Sequence, residues 1–107
     1  MTFEHGDETP QTLTGHAVFD NEFRRVGVIT DVLYDEFEQV PQWAVVKTGL
    51  VGGEHFVPLK ASYVDEDGRL VVPHGKASIK RAPRAGRDHV VTRDVARELS
   101  DHYRVAA

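Results

Sequence analysis

Apolar positions along this chain come in short alternating bursts until the last quarter, where helical spacing takes over. From Phe23 to Tyr34 (FRRVGVITDVLY) the run is rich in β-branched residues. Val26, Val28, Val32 and Tyr34 share one parity, as one face of a strand requires. Gly27 inside this run predicts a bulge or a close backbone approach. A shorter run, Thr14–Phe19 (TGHAVF), precedes it and stops at the turn-favouring pair Asp20-Asn21. Beyond the polar connection 35–42, which contains Pro41, come WAVVKTG and HFVPLKASYV. Asp65-Glu66-Asp67-Gly68 then marks a tight turn, with RLVVP at 69–73 as the strand on its far side. Pro58 cannot donate to a ladder, so its strand must lie at an edge or carry a bulge there.

After Pro73 the period changes. Lys76–Arg81 has room for one short helical turn, which Pro83 ends. Thr92 is placed to cap a second helix, along which Val95, Leu99 and Tyr103 recur every four residues as a single apolar stripe. The pattern therefore predicts a mainly β fold: a small six-stranded barrel over residues 13–81 and, over 82–107, a linker and a C-terminal amphipathic helix packed on it. Residues 1–12 are polar, acidic and aperiodic, and read as a loose tail. A six-stranded barrel would be filled by its own side chains.

The stretch VVKTGLVGGEHFVPLK (45–60) sets three glycines between two apolar runs, and two readings compete for it. A phosphate loop requires Gly-Lys-Ser/Thr, yet Glu54 follows Gly53. A dinucleotide fingerprint requires a helix next, yet His55-Phe56-Val57 is another strand. The bend of a β-hairpin accounts for every residue, with glycines supplying positive φ. Leu50 and Val51 fall at the apolar tip of that bend. Such a tip either contacts a partner or folds back on its own barrel. Leu50, Val51, Gly52 and Gly53 are accordingly the candidate interaction residues.

Composition narrows the chemistry. With 107 residues, 40% of them hydrophobic, the chain suits one domain and one core rather than a deep cleft between lobes. It has no cysteine, which excludes disulfides, thiolate nucleophiles and cysteine metal sites. The apolar run WAVV (43–46) is far too short to span a bilayer, and MTFEHGDETPQT is not a secretion signal. A soluble cytoplasmic protein without membrane contact is expected. Net charge is −4, which disfavours indiscriminate binding to polyanions.

The exception is KASIKRAPRAGR (76–87), which carries five positive side chains and no acid. Lys76, Lys80, Arg81, Arg84 and Arg87 are candidates for an anionic partner: RNA backbone, an acidic protein surface, or the acidic first half of a second copy. The alternative is a solvated linker. No aromatic residue interrupts the segment, which argues against base stacking.

No catalytic, cofactor or metal site is expected. The six histidines form no H-E-x-x-H and read as scattered surface residues. Ser100-Asp101-His102 names the members of a hydrolase triad, but neighbours on a helix point apart. Asp31 and Asp35 would share a strand face about 13 Å apart, too far for a working pair, so Asp31 is expected to bond nearby backbone and Asp35 to open a turn.

The ordered set of Gly27, Asp31 and Asp35, then P-x-W-A-V-V-K-T-G-L at 41–50, F-V-P-L at 56–59, L-V-V-P at 70–73, Ala82-Pro83 and L-x-x-x-Y at 99–103 resembles the PRC-barrel family, most of all its stand-alone actinobacterial versions. The resemblance implies a small β-barrel like the cytoplasmic domain of the photosynthetic reaction centre H subunit and the C-terminal half of a ribosome maturation factor. It also implies a non-catalytic docking module, in many stand-alone versions a homodimer. The transmembrane anchor of the one and the RNA-associated domain of the other have no counterpart here. The expected function is thus protein docking as a homodimer, and the alternative an RNA- or ribosome-associated module.

Overall fold

Two aspartates decide where strands of this protein reverse. The computed structural model describes residues 13–34, 40–49 and 52–104; the expected tail 1–12, Asp35 and the tip residues Leu50 and Val51 lie outside them. In the described residues β1 (Ala17–Phe19) turns at Asp20 into β2 (Arg25–Tyr34), and β3 (Pro41–Lys47) bends into β4 (Glu54–Pro58). Then β5 (Tyr63–Val64) turns at Asp65 into β6 (Leu70–Val71), followed by α1 (Lys76–Arg81) and α2 (Arg93–Tyr103).

The Asp20 and Asp65 turns are the same structure built twice. In each, the aspartate N–H donates to the carbonyl four residues on, at 2.9 Å, and the aspartate carbonyl accepts from the residue three on. One carboxylate oxygen accepts the N–H groups of residues two and four on, and the other takes the Nε of an arginine, Arg24 or Arg69. The sequence behind this is D-N-E-F-R and D-E-D-G-R, an internal repeat not anticipated above. Its fourth position is left-handed in both, at φ +61° for Phe23 and +79° for Gly68. An L-residue is strained there by roughly 1 kcal/mol. Phe23→Gly is therefore expected to raise stability by about 0.5 kcal/mol after the added unfolded-state entropy is counted, a gain readable as a higher urea midpoint.

The strands form one six-stranded sheet in the order β4-β3-β2-β1-β6-β5, antiparallel except between β1 and β6. Strand β2 pairs β1 with its first half and β3 with the rest, and the register slips in both ladders bend it. Gly27 lies at the crossing. A Cβ there would sit 2.0 Å from the Lys47 carbonyl oxygen, which is the expected close approach. Among the described residues no ladder joins β4 to β5. The mainly β, six-stranded expectation holds, but the sheet is open, because two-residue β5 offers little backbone for β4 to pair with.

The core runs from Val18, Ile29 and Leu70 through Trp43–Val46 to Phe56 and Val57. Ile79 of α1 and Leu99 and Tyr103 of α2 close over it, and Val95 packs at its margin. Fully burying a side chain such as Ile79 or Leu99 contributes about 1.5–3 kcal/mol. Helix α2 begins as read from sequence, with the Thr92 hydroxyl accepting the Val95 N–H. Helix α1 stops at Ala82, whose ψ of 155° is the extended conformation that Pro83 requires of its predecessor.

Strand β4 ends at Pro58, an outer-strand position as expected. Its outward backbone is covered. Ala85 N–H donates to Glu54 O at 2.8 Å, and the Tyr103 hydroxyl donates to Phe56 O at 2.7 Å. Pro58, of the same parity, has no N–H to present there.

Candidate functional site

The bend between β3 and β4 is a hairpin, and its base is anchored in the interior. Thr48 N–H donates to Gly53 O at 3.0 Å, and the antiparallel ladder runs up to Lys47 and Glu54. Gly49 and Gly53 take the positive φ expected of the bend. Gly52 is required for space instead: a Cβ would lie 2.1 Å from Thr48 O. His55 is buried, with Nδ1 2.9 Å from Ala82 O and Nε2 3.2 Å from Gly52 O. Of the candidate interaction residues, Gly52 and Gly53 are thus half-buried at the root of the hairpin.

The basic segment 76–87 is not one surface. Lys76 and Lys80 line an open concavity of about 540 Å³ together with Arg25, Val26, Gly27, Val28, Lys47, Thr48 and Gly49. Arg84 is not among its lining residues: its backbone bridges His55, and its guanidinium lies 3.3 Å from where a Gly53 Cβ would project. Arg81 and Arg87 are exposed and border neither feature. Sequence spacing joined these five cations, but the end of α1 at Pro83 parts them. Arg25 and Lys47, which share the concavity with the two lysines, lie far off in sequence and were missed.

The histidines were read as scattered over the surface. Five of the six are tied into the fold. His16 Nδ1 lies 2.7 Å from Gly68 O, and His102 Nε2 donates to Ser78 O at 2.7 Å. The rings of His74 and His102 both contact the Tyr103 ring, with centroids 4.7 and 4.9 Å away. Burial pushes the His74 ring below the usual histidine range, and the nearby His102 adds to this. Ser100-Asp101-His102 assembles no triad, since His102 is turned to Ser78.

His89 bridges two carboxylates from different strands. Its Nδ1 lies 3.0 Å from Asp31 Oδ2 and its Nε2 2.9 Å from Glu54 Oε1. The Thr30 hydroxyl donates to the other Glu54 oxygen at 2.6 Å. Asp31 also accepts the Val32 N–H, the backbone bond expected of it. Both ring nitrogens are occupied, and the threonine faces a carboxylate instead of the imidazole, so the group holds neither a free metal ligand nor a nucleophile–base pair. Among the described residues no cluster of three His, Asp or Glu side chains is arranged to hold a metal ion. What the cluster does is latch the segment after Pro83 across β2 and β4.

Electrostatics gives that latch a pH window. Hydrogen bonds to Glu54 and then Asp31 raise the His89 pKa, and those from Thr30 and His89 lower that of Glu54. A raised histidine stabilises fully below its ordinary 6.5 and loses the contribution as pH climbs through the folded value. A lowered glutamate stabilises fully above its ordinary 4.5 and loses it as pH falls. The latch is strongest between these values. His89→Asn keeps a residue tolerant of the φ of +51° found there. It is expected to lower stability by about 1 kcal/mol at pH 5.5 and by less at pH 8.5, as read from urea midpoints at the two pH values.

Among the described residues no helix is long and apolar enough to cross a membrane. Comparison with known proteins finds a match of residues 8–79 to a family model described as PRC-barrel domain. No curated protein matches this chain.

Proposed function

This chain belongs to the PRC-barrel domain family, in general a family of protein-interaction modules, and on that premise we propose that it is a non-enzymatic docking module that acts as a homodimer and engages a protein partner through the β3–β4 tip. The observation that carries this reading is the construction of the hairpin root. Thr48, Gly52 and the buried His55 tie it to the interior, which supports reading this hairpin as a preorganised docking element. In sequence, leucine and valine stand between Gly49 and Gly52, an apolar pair that favours contact over solubility.

Light scattering tests the homodimer. At tens of micromolar the protein is expected at twice its 12.0 kDa chain mass, and Leu50→Asp is expected to shift it to the single-chain mass. A strict monomer before and after the change would remove the dimer from the reading. The RNA-associated alternative would use Lys76 and Lys80 at the concavity and Arg84 beside Gly53. It predicts retention of RNA on filters at low salt, falling steeply as salt is added.

A further inference from the structure

We propose that the concavity between α1, the start of β2 and the end of β3 binds a small anion bearing two or three linked phosphate groups. Four cations line it, Arg25 from β2, Lys47 from β3, and Lys76 and Lys80 from α1, and no acid is among the described lining residues. In a chain of net charge −4 this is a strong segregation of sign. The neighbouring arginines behave otherwise: Arg24 and Arg69 are each committed to an aspartate. None of the four lining cations forms an ion pair with an acid among the described residues.

Two carboxylates linked through the backbone to lining residues are already engaged. Asp20 accepts the Lys76 backbone N–H but is fully buried and paired with Arg24. Glu54, opposite Lys47 in the β3–β4 ladder, spends its oxygens on Thr30 and His89. A multiply charged anion can engage several of these cations at once.

Three features select the class of anion. Among the described residues no aromatic ring lines the concavity, so none of them is placed to stack on a base. Its volume, about 540 Å³, falls in the range of small-molecule sites. Three of the four cations are lysines, compact point charges that suit phosphate oxygens presented from several directions. Neighbouring phosphates satisfy several such charges at once, which a single phosphate does not. The site shares Thr48 and Gly49 with the root of the β3–β4 hairpin but uses neither residue 50 nor residue 51.

Titrating sodium tripolyphosphate into the isotope-labelled full chain at low ionic strength tests it. Saturable amide shifts are expected at Gly27, Thr48, Gly49, Lys76 and Lys80. Orthophosphate at equal ionic strength is expected to bind at least tenfold more weakly. Lys47→Ala and Lys80→Ala should each weaken binding about tenfold, and Arg97→Ala, on the exposed side of α2, less than twofold. Should Lys47→Ala unfold the chain, the exposed Lys80→Ala decides alone. Non-saturating shifts, or equal losses from Arg97→Ala and Lys80→Ala, would overturn the site. Binding of a short oligoribonucleotide through the same lysines without binding of tripolyphosphate would overturn it in favour of a nucleic-acid backbone.

Discussion

Asp20→Ala is expected to destabilise the fold by about 3 kcal/mol or more, a large share of the 5–15 kcal/mol typical of a domain. Its carboxylate is wholly buried and collects four donors: the N–H groups of Glu22, Arg24 and Lys76 and the Arg24 guanidinium. Truncation strands all four. One of them is the first N–H of α1, so the loss also loosens the helix that seats Ile79 in the core. Asp20→Asn keeps an acceptor for two backbone N–H groups and loses the charge opposite Arg24, so an intermediate loss is expected.

The same carboxylate predicts an acid limit. Burial alone would raise its pKa, but the hydrogen bonds from Arg24, Glu22 and Lys76 outweigh this and hold it at about 2. A carboxylate lowered on folding stabilises above its ordinary 3.8 and loses that contribution as pH falls towards 2, here about 2 kcal/mol. Urea midpoints for wild type and Asp20→Asn should differ clearly at pH 7 and converge near pH 2. A gap that persists unchanged into acid would show that the charge on Asp20 is not what stabilises. Asp65, whose carboxylate is nearer solvent in the twin turn, should matter less.

Gly27→Ala carries the second large effect, a loss of about 3 kcal/mol or outright failure to fold. The new methyl would stand 2.0 Å from Lys47 O and 2.8 Å from its carbonyl carbon, both backbone atoms of the β2–β3 ladder. Neither strand can give way without breaking that ladder. Gly49→Ala is the matched control. Its Cβ would meet open space, so only the strain of φ +93° remains, about 1 kcal/mol. Thermal denaturation should separate the pair by roughly 10 °C. Equal losses would mean that conformation, not contact, governs Gly27.

Local grammar carried most of the fold. The bend at 49–53, the Asp65–Gly68 turn, the Thr92 cap and the Val95-Leu99-Tyr103 stripe depend on neighbours a few residues away, and each is present in the structure. The D-x-[ED]-x-R repeat was equally legible, since its bonds lie within five residues, and the arginine at the end was the unread signal. What escaped depends on chain closure. His89 meets Asp31 and Glu54 across 58 and 35 positions, and Asp20 meets Lys76 across 56. Alternation reports which side of a strand is wet, but not which edges meet, so the strand count suggested a cylinder where β4 and β5 stay apart.

The covered flank of β4 bears on how copies of this protein can associate. Ala85, Tyr103 and Pro58 leave that margin little to offer an incoming strand. The opposite margin, β5, is only two residues long. Growth of the sheet from one molecule into the next is thereby discouraged at both ends. At these two margins pairing of copies through the described sheet is left to side chains, which mutation can retune one at a time.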